Sequence, residues 1–464
     1  YSGSTANFGT PIGLGAGTIT MVSNAVLYAA GGLGQNTGPT WSSLNNPIVI
    51  PAGNTATIYG PQRGVMQATI TGGGTLNYIT AYVRGSFNGN WSGFTGQILL
   101  SGSANGNNLG FSSTAGFNRI LCTNLGAGGV YFYNLTTGRP TISIGELAGD
   151  SSGTLASTSS GNAGGTAANF AIGSLNTSAE YAGGIVDDLG VIKVGTGTLT
   201  LSGSTLTYSG TTAISNGVLA LGASATLPNS TPINIQSPGV LDVTAAGTLT
   251  LANQTIQGNG TLNGALNTGA GTIVQPGGAS AIGKLTVSGA VTLAGTNIFE
   301  LNRTNAAATN DQLAAASVVA GGTLQVNNLG TDLHTGDTFK LFSVPVTGAF
   351  AVTNLPTTNA TGTITYEWAN NLSVDGTLQV LVGVPNVNTT PTNLVTSVTG
   401  GALTLSWPAD HIGWRLLAQT NALGAGLQTA TNAWVTVGNS AATNQMSFTI
   451  DPTKPTVFYR LVYP

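Results

Sequence analysis

The sequence predicts an all-β protein, a right-handed parallel β-helix (β-solenoid) followed by a small C-terminal β-sandwich-like domain, and three observations carry that prediction. A short phrase recurs, in which glycine and threonine precede a leucine or isoleucine and then a polar residue. It stands at Gly17-Thr18-Ile19-Thr20, Gly74-Thr75-Leu76-Asn77, Gly197-Thr198-Leu199-Thr200, Gly247-Thr248-Leu249-Thr250, Gly260-Thr261-Leu262-Asn263, Gly322-Thr323-Leu324-Gln325 and Gly376-Thr377-Leu378-Gln379. Each copy is a turn residue followed by period-two alternation, the signature of a half-buried strand. Over the first 384 residues, no window has the i, i+3, i+4, i+7 apolar spacing of a long helix. Finally, 69 of 464 residues are glycine and only 5% are charged, against roughly 25% in an ordinary soluble domain. With 41% hydrophobic residues the chain is nonetheless not of the disordered class. Strands this short bury no face alone and must stack on their neighbours.

Residues 1–384 form the predicted solenoid, cycling through Gly or Asn punctuation and strands of four to six residues. At roughly 20 to 25 residues per coil and about 4.8 Å per strand, the expectation is about 16 coils in a rod about 80 Å long. Loop excursions are expected near 149–171, rich in Ser, Gly, Ala and Asn, and near 302–316, where Asp311 to Ala316 reads as a single helical turn. Pro385 and Pro391 mark a Thr/Asn-rich linker, 385–396. Residues 397–464 then read as a separate β domain, with strands at 402–407, 414–418, 433–437, 446–450 and 457–462. Three of the six tryptophans fall in this segment and are assigned to its core, with a sugar-stacking platform as the alternative.

The clearest unit runs from Gly190 to Gly222. If Leu199 and Leu201 face inward, Thr198 and Thr200 face solvent, and Leu219 and Leu221 repeat the arrangement in the next strand. Lys193, Gly195, Gly197, Leu199, Leu201, Gly203, Tyr208, Gly210, Gly217 and Leu219 fall on a pattern that resembles the autotransporter-associated β-strand repeat, also called the passenger-associated transport repeat. The segment departs from that pattern around Ser204 to Leu206. The resemblance implies a parallel β-helix displayed outside a bacterial cell, with these residues in structural roles and none in catalysis. The membrane barrel familiar from autotransporters is not expected here, so the resemblance leaves the export route open.

Charge and chemistry narrow the function. A formal net charge of −3 provides no field for nucleic acid or anionic lipid, and no apolar run approaches the roughly 18 residues of a membrane span. The single cysteine, Cys122, excludes an intrachain disulfide and reads as an inward strand position. The chain begins with Tyr1, which fits export with a signal peptide removed, to the cell surface or beyond. Two acidic clusters offer the only footing for catalysis or calcium, Asp187-Asp188 with Lys193 and Asp332-Leu333-His334 with Asp337; turn capping is their alternative. With His334 and His411 far apart, no Ser/His/Asp or zinc arrangement is expected, and no metal or cofactor is assigned.

The leading expectation is therefore a non-enzymatic structural protein whose partner is itself, assembling as a fibre or surface layer. Ile19, Val22 and Val26 near the N-terminus, or Phe458, Tyr459 and Leu461 near the C-terminus, are the candidate assembly residues. A cell-surface or extracellular polysaccharide is the second candidate partner; the alternatives are a monomeric surface adhesin that binds glycans or host or matrix surfaces and, third, a β-helix polysaccharide-degrading enzyme.

Overall fold

The computed structural model describes residues 16–28, 43–60, 65–80, 85–87, 89–102, 108–111, 120–122, 130–134, 139–156, 167–304, 307–384, 387–453 and 456–463. The chain falls into two compact units. One comprises Tyr1–Gly330, Phe339–Pro356 and Asn370–Leu378; the other comprises Thr331–Thr338, Thr357–Ala369 and Gln379–Pro464.

The first unit is a β-solenoid. Among the described residues, one parallel sheet of 13 strands runs without interruption from Ala25–Tyr28 to Gln312–Ala314. The other two faces are each built in two stretches. Ile19–Thr20, Ile48–Val49 and Ile70–Thr71 begin one face, which continues as the sheet from Thr141–Ile144 to Val352–Asn354. The other face begins with the sheet from Ser43–Leu44 to Gly184–Ile185 and resumes with that from Thr248–Leu251 to Val346–Gly348. Where a turn contributes strands to more than one face it does so in the same order, and the strands of these faces pair in parallel with those of adjacent turns, except that Ala308–Asn310 folds back antiparallel on Thr296–Arg303.

Alternation within each strand decides what enters the solenoid. Leu199 and Leu201 are buried while Thr198 and Thr200 are partly exposed, which is the facing read from the sequence. In register, Leu199 stacks on Leu219, Leu219 on Leu241 and Leu241 on Leu262, all buried. On the adjacent face a second ladder stacks Ile142, Phe170, Val191, Thr212, Ile233, Ile256 and Val274. The turns are less uniform in length than expected: Thr198 pairs with Val218, whereas Gly149 finds its partner only at Tyr181, after a much longer stretch of chain. The ladder keeps its parallel register across turns of different length.

Two local expectations change. Asp311 to Ala316 is not a helical turn: Gln312–Ala314 is a strand, with Leu313 paired to Leu285 and buried. The stacking of Leu313 overrides the weak helix preference of an alanine run. The stretch 149–171 is only partly an excursion, because Gly153–Leu155 and Ala168–Ile172 are strands of the solenoid. Cys122 ends the strand Ile120–Cys122, and the environment of its side chain lies outside the described residues.

In the second unit, Val395–Thr399, Ala402–Ser406 and Gln445–Thr449 form one antiparallel sheet, and Val435–Thr436, Arg415–Asn421 and Thr456–Val462 form another. The two share a core around Leu405, Trp407 and Leu416, and the rings of Phe448 and Tyr459, one from each sheet, lie 4.9 Å apart. This is a sandwich arrangement. Trp407 and Trp414 are core residues, whereas Trp434 remains partly exposed.

The facing makes a direct prediction. Leu249 is buried and Thr248 exposed on the same strand. Leu249→Ala is expected to destabilise the solenoid by about 2–5 kcal/mol, and Thr248→Ala by less than about 0.5 kcal/mol. Chemical denaturation of the two variants, with hydrogen exchange to localise the loss, measures the difference; equal effects contradict the ladder.

Candidate functional site

The densest concentration of unusual chemistry lies where one solenoid turn meets the next around Lys193. Its position is inward, in a ladder that reads Ile144, Ile172, Lys193, Ile214, Ile235 from turn to turn. Lys193 is only 1% exposed. The four methylenes take the place of an isoleucine, and the ammonium reaches the corner, where Nζ donates to the carbonyls of Val194 at 2.6 Å, Gly195 at 2.8 Å and Asn216 at 3.4 Å. A buried ammonium normally loses too much hydration to be tolerated, and three carbonyl oxygens replace the lost water. Burial still holds the amine below its ordinary range, at about 8.

The corner itself depends on glycine. Gly195 has φ +67°, and a β-carbon there would lie 2.0 Å from the Gly173 carbonyl of the preceding turn; at Gly197 it would lie 2.0 Å from that of Thr177. Only backbone fits where the turns come this close. Gly203, Gly210 and Gly217 stand in the same way over the carbonyls of Gly183, Leu189 and Gly195. Beside them a buried hydroxyl chain ties two turns together: Tyr208 Oη to Thr212 Oγ1 at 2.6 Å, Thr212 Oγ1 to Ser230 Oγ at 2.7 Å, and Ser230 Oγ donating to Gly210 O at 2.8 Å. Burial pushes the Tyr208 phenol up to about 12, so it remains a neutral donor. These groups hold turns together, and none presents a nucleophile or acid to solvent.

The acidic clusters named from the sequence do not converge. Asp187 and Asp188 do sit in a bend, with Asp187 in the left-handed region at φ 65°. Asp188 pairs with Arg139, and the Asp187 carbonyl accepts from Ser209 N at 2.8 Å. Lys193 is committed to its carbonyls. Asp332, His334 and Asp337 divide similarly: Asp337 Oδ2 accepts from His334 N at 2.7 Å, and Asp332 Oδ2 from Asn359 Nδ2 at 3.1 Å. The first is a turn-capping role, and the second ties Asp332 to a residue distant in sequence. Among the described residues no three His, Cys, Asp or Glu side chains come together as a metal site would require. His411 contacts Asp410 Oδ1 through Nδ1 at 2.7 Å and the Thr390 carbonyl through Nε2 at 2.8 Å, and these two acceptors raise its pKa above the ordinary histidine value.

One acidic pair escaped the sequence reading. Glu300 and Asp311 are both buried, and Asp311 accepts from Gly283 N and Glu300 N, each at 2.7 Å. Gln275 Nε2 donates to Glu300 Oε1 at 3.0 Å. Burial, reinforced by the Glu300 carboxyl, drives the Asp311 pKa far upward, so the pair keeps a proton at neutral pH. Strand Ala308–Asn310 folds back antiparallel on Thr296–Arg303 and brings the two acids together. The only signal in the sequence is Glu300 between Phe299 and Leu301, where a carboxylate interrupts an apolar run.

The candidate assembly residues separate. Ile19 lies in a two-residue strand paired with Ile48–Val49, while Val22 and Val26 are 48% and 52% exposed. Tyr459 and Leu461 pack against the core of the C-terminal sandwich, and Phe458 points to the opposite face of its strand.

Lys193 supplies a pH signature. Its native pKa lies near 8 against an ordinary 10.5, so between those values the unfolded chain holds a proton that the folded chain has released. Stability should therefore rise with pH through this window. Lys193→Met keeps the stem but removes both the ammonium and that rise, and leaves carbonyls unpaired at a cost of about 1–3 kcal/mol. Denaturation midpoints of both proteins from pH 7 to 11 test this; parallel profiles contradict it.

Curated proteins provide no match to the chain. A family model does: the segment built around the Lys193 corner and the Leu199–Leu219 step, residues 191–221, matches the passenger-associated transport repeat.

Proposed function

We propose that the chain is a non-enzymatic structural protein of the cell exterior, whose solenoid self-associates into a fibre or surface layer. The matched repeat supports a passenger-type surface protein. The observation that carries the finer reading is the composition of the outermost strands of the sheets. Among the described residues, Ala25–Tyr28 ends the long sheet at one side and Val352–Asn354 ends its neighbour at the other; both strands are free of charged residues, and Val26 and Val352 are 52% and 47% exposed. Natural sheets guard such edges with lysine, proline or bulges. A solenoid already built by adding one parallel turn to the next extends by the same contact when the next turn belongs to another copy. Because each acidic cluster is spent on turns and an ion pair, the enzyme reading has no observation in its favour.

Assembly of this kind rests on backbone ladders and apolar area, which salt leaves intact or slightly strengthens, whereas contacts between charges are screened. Light scattering should show particles larger than a monomer that persist from low to high sodium chloride. Val26→Lys and Val352→Lys, each placing a charge on an outermost strand, should shift the population towards monomer without changing the melting temperature. Dissociation of the unmodified chain by moderate salt, or a monomer at every concentration, removes the proposal and leaves the adhesin.

A further inference from the structure

A second site lies on the C-terminal sandwich and does not depend on self-association. Strand Thr456–Val462 pairs antiparallel with Arg415–Asn421, placing Val462 opposite Arg415, Leu461 opposite Leu416, Arg460 opposite Leu417 and Phe458 opposite Gln419. Leu416, Tyr459 and Leu461 turn inward to the core. By alternation, Arg415, Leu417, Phe458 and Arg460 occupy the outer face, where Arg415 and Arg460 are diagonal neighbours within reach of a common ligand.

The guanidinium carbon of Arg460 lies 4.2 Å from the ring centroid of Trp434, and the indole is itself held by Nε1 donating to the Gln428 carbonyl at 3.0 Å. Stacking orients the guanidinium plane before any ligand arrives. Arg460 Nε is buried without a hydrogen-bond partner, and among the described residues no carboxylate pairs with Arg460 or Arg415. The acids of this segment are engaged elsewhere: Asp410 with His411 and Asn388, Asp451 with the backbone and hydroxyl of Thr453. In a chain with so few charges, two unpaired arginines beside two partly exposed aromatic rings form an anion-recognising face.

We propose that this face binds a carboxylate-bearing polysaccharide, a polymer containing uronic acid. Guanidinium forks accept a carboxylate in a bidentate geometry, and Phe458 beside them offers an apolar surface for the C–H face of a pyranose ring. Two cations are too few for an anionic membrane, where clusters of four to eight basic residues are the rule, and too few for nucleic acid.

Affinity electrophoresis of the full chain through gels containing alginate, polygalacturonate or neutral dextran tests the assignment, with phosphatidylglycerol vesicles as a separate arm. Retardation is expected in both uronate gels and not in dextran, and it should weaken as salt is added. Arg415→Gln removes an exposed fork without touching the core and should reduce apparent affinity about 10-fold or more, the loss of one charge-assisted hydrogen-bonded pair. Arg460→Lys retains the charge over Trp434 but not the fork, and should produce a similar loss with an unchanged melting temperature. Light scattering of each variant holds particle size constant in the comparison. Equal retardation in dextran, vesicle binding without uronate binding, or undiminished retardation of both variants would overturn the proposal.

Discussion

Everything in the solenoid depends on the register between successive turns. Inward side chains sit on counterparts one turn away, as Leu199 does on Leu219, and backbone donors find acceptors in the turns on either side, as Val194 N does in Ile172 O and Val191 N in Thr211 O. The stacking is a constraint as well as a source of stability. Where turns come closest, as at Gly195 and Gly197, backbone meets backbone and side chains have no room. The register tolerates turns of different length, and so the short turn from Thr198 to Val218 coexists with the long one from Gly149 to Tyr181.

Several polar groups that enter this apolar interior draw hydrogen bonds from a neighbouring turn. Thr212 occupies a position held by Val191 before it and Ile233 after it, and its hydroxyl is satisfied by Tyr208 and Ser230. Asn297 extends the same ladder past Val274 and donates to the carbonyls of Gly295 and Thr323. Asp311 is completed by two backbone N–H groups, that of Gly283 in the preceding turn and that of Glu300. In each case burial raises the electrostatic stakes, and hydrogen bonds drawn largely from adjacent turns meet them.

The alternation of leucine with threonine made the strands and their inner face legible, because period-two patterning is local and the solenoid obeys it almost everywhere. Lys193 was legible as part of a motif but not as a core residue, since nothing local announces that a lysine stem will replace an isoleucine. Asp311 was misread with its surroundings: the alanines after it favour a helix in isolation, and only the pairing of Leu313 with Leu285, one full turn earlier in the chain, makes the segment a strand. The outer face of the C-terminal sandwich was hidden for the same reason. Arg415 and Arg460 are distant in sequence, and antiparallel pairing alone makes them neighbours.

Near-identical turns create an ambiguity that ordinary domains do not face, because a stack of equivalent hydrocarbon steps would be almost as well satisfied if one turn were skipped. The lone ammonium of Lys193 works against that degeneracy as an index mark. Two of its acceptors lie in its own turn and the third, the Asn216 carbonyl, belongs to the next. If the ladder closed with Ile172 on Ile214, the cation would be stranded in hydrocarbon or expelled with its whole turn, a penalty of several kcal/mol that no leucine or isoleucine could impose. A single buried charge can thus decide which of many similar stackings the chain adopts.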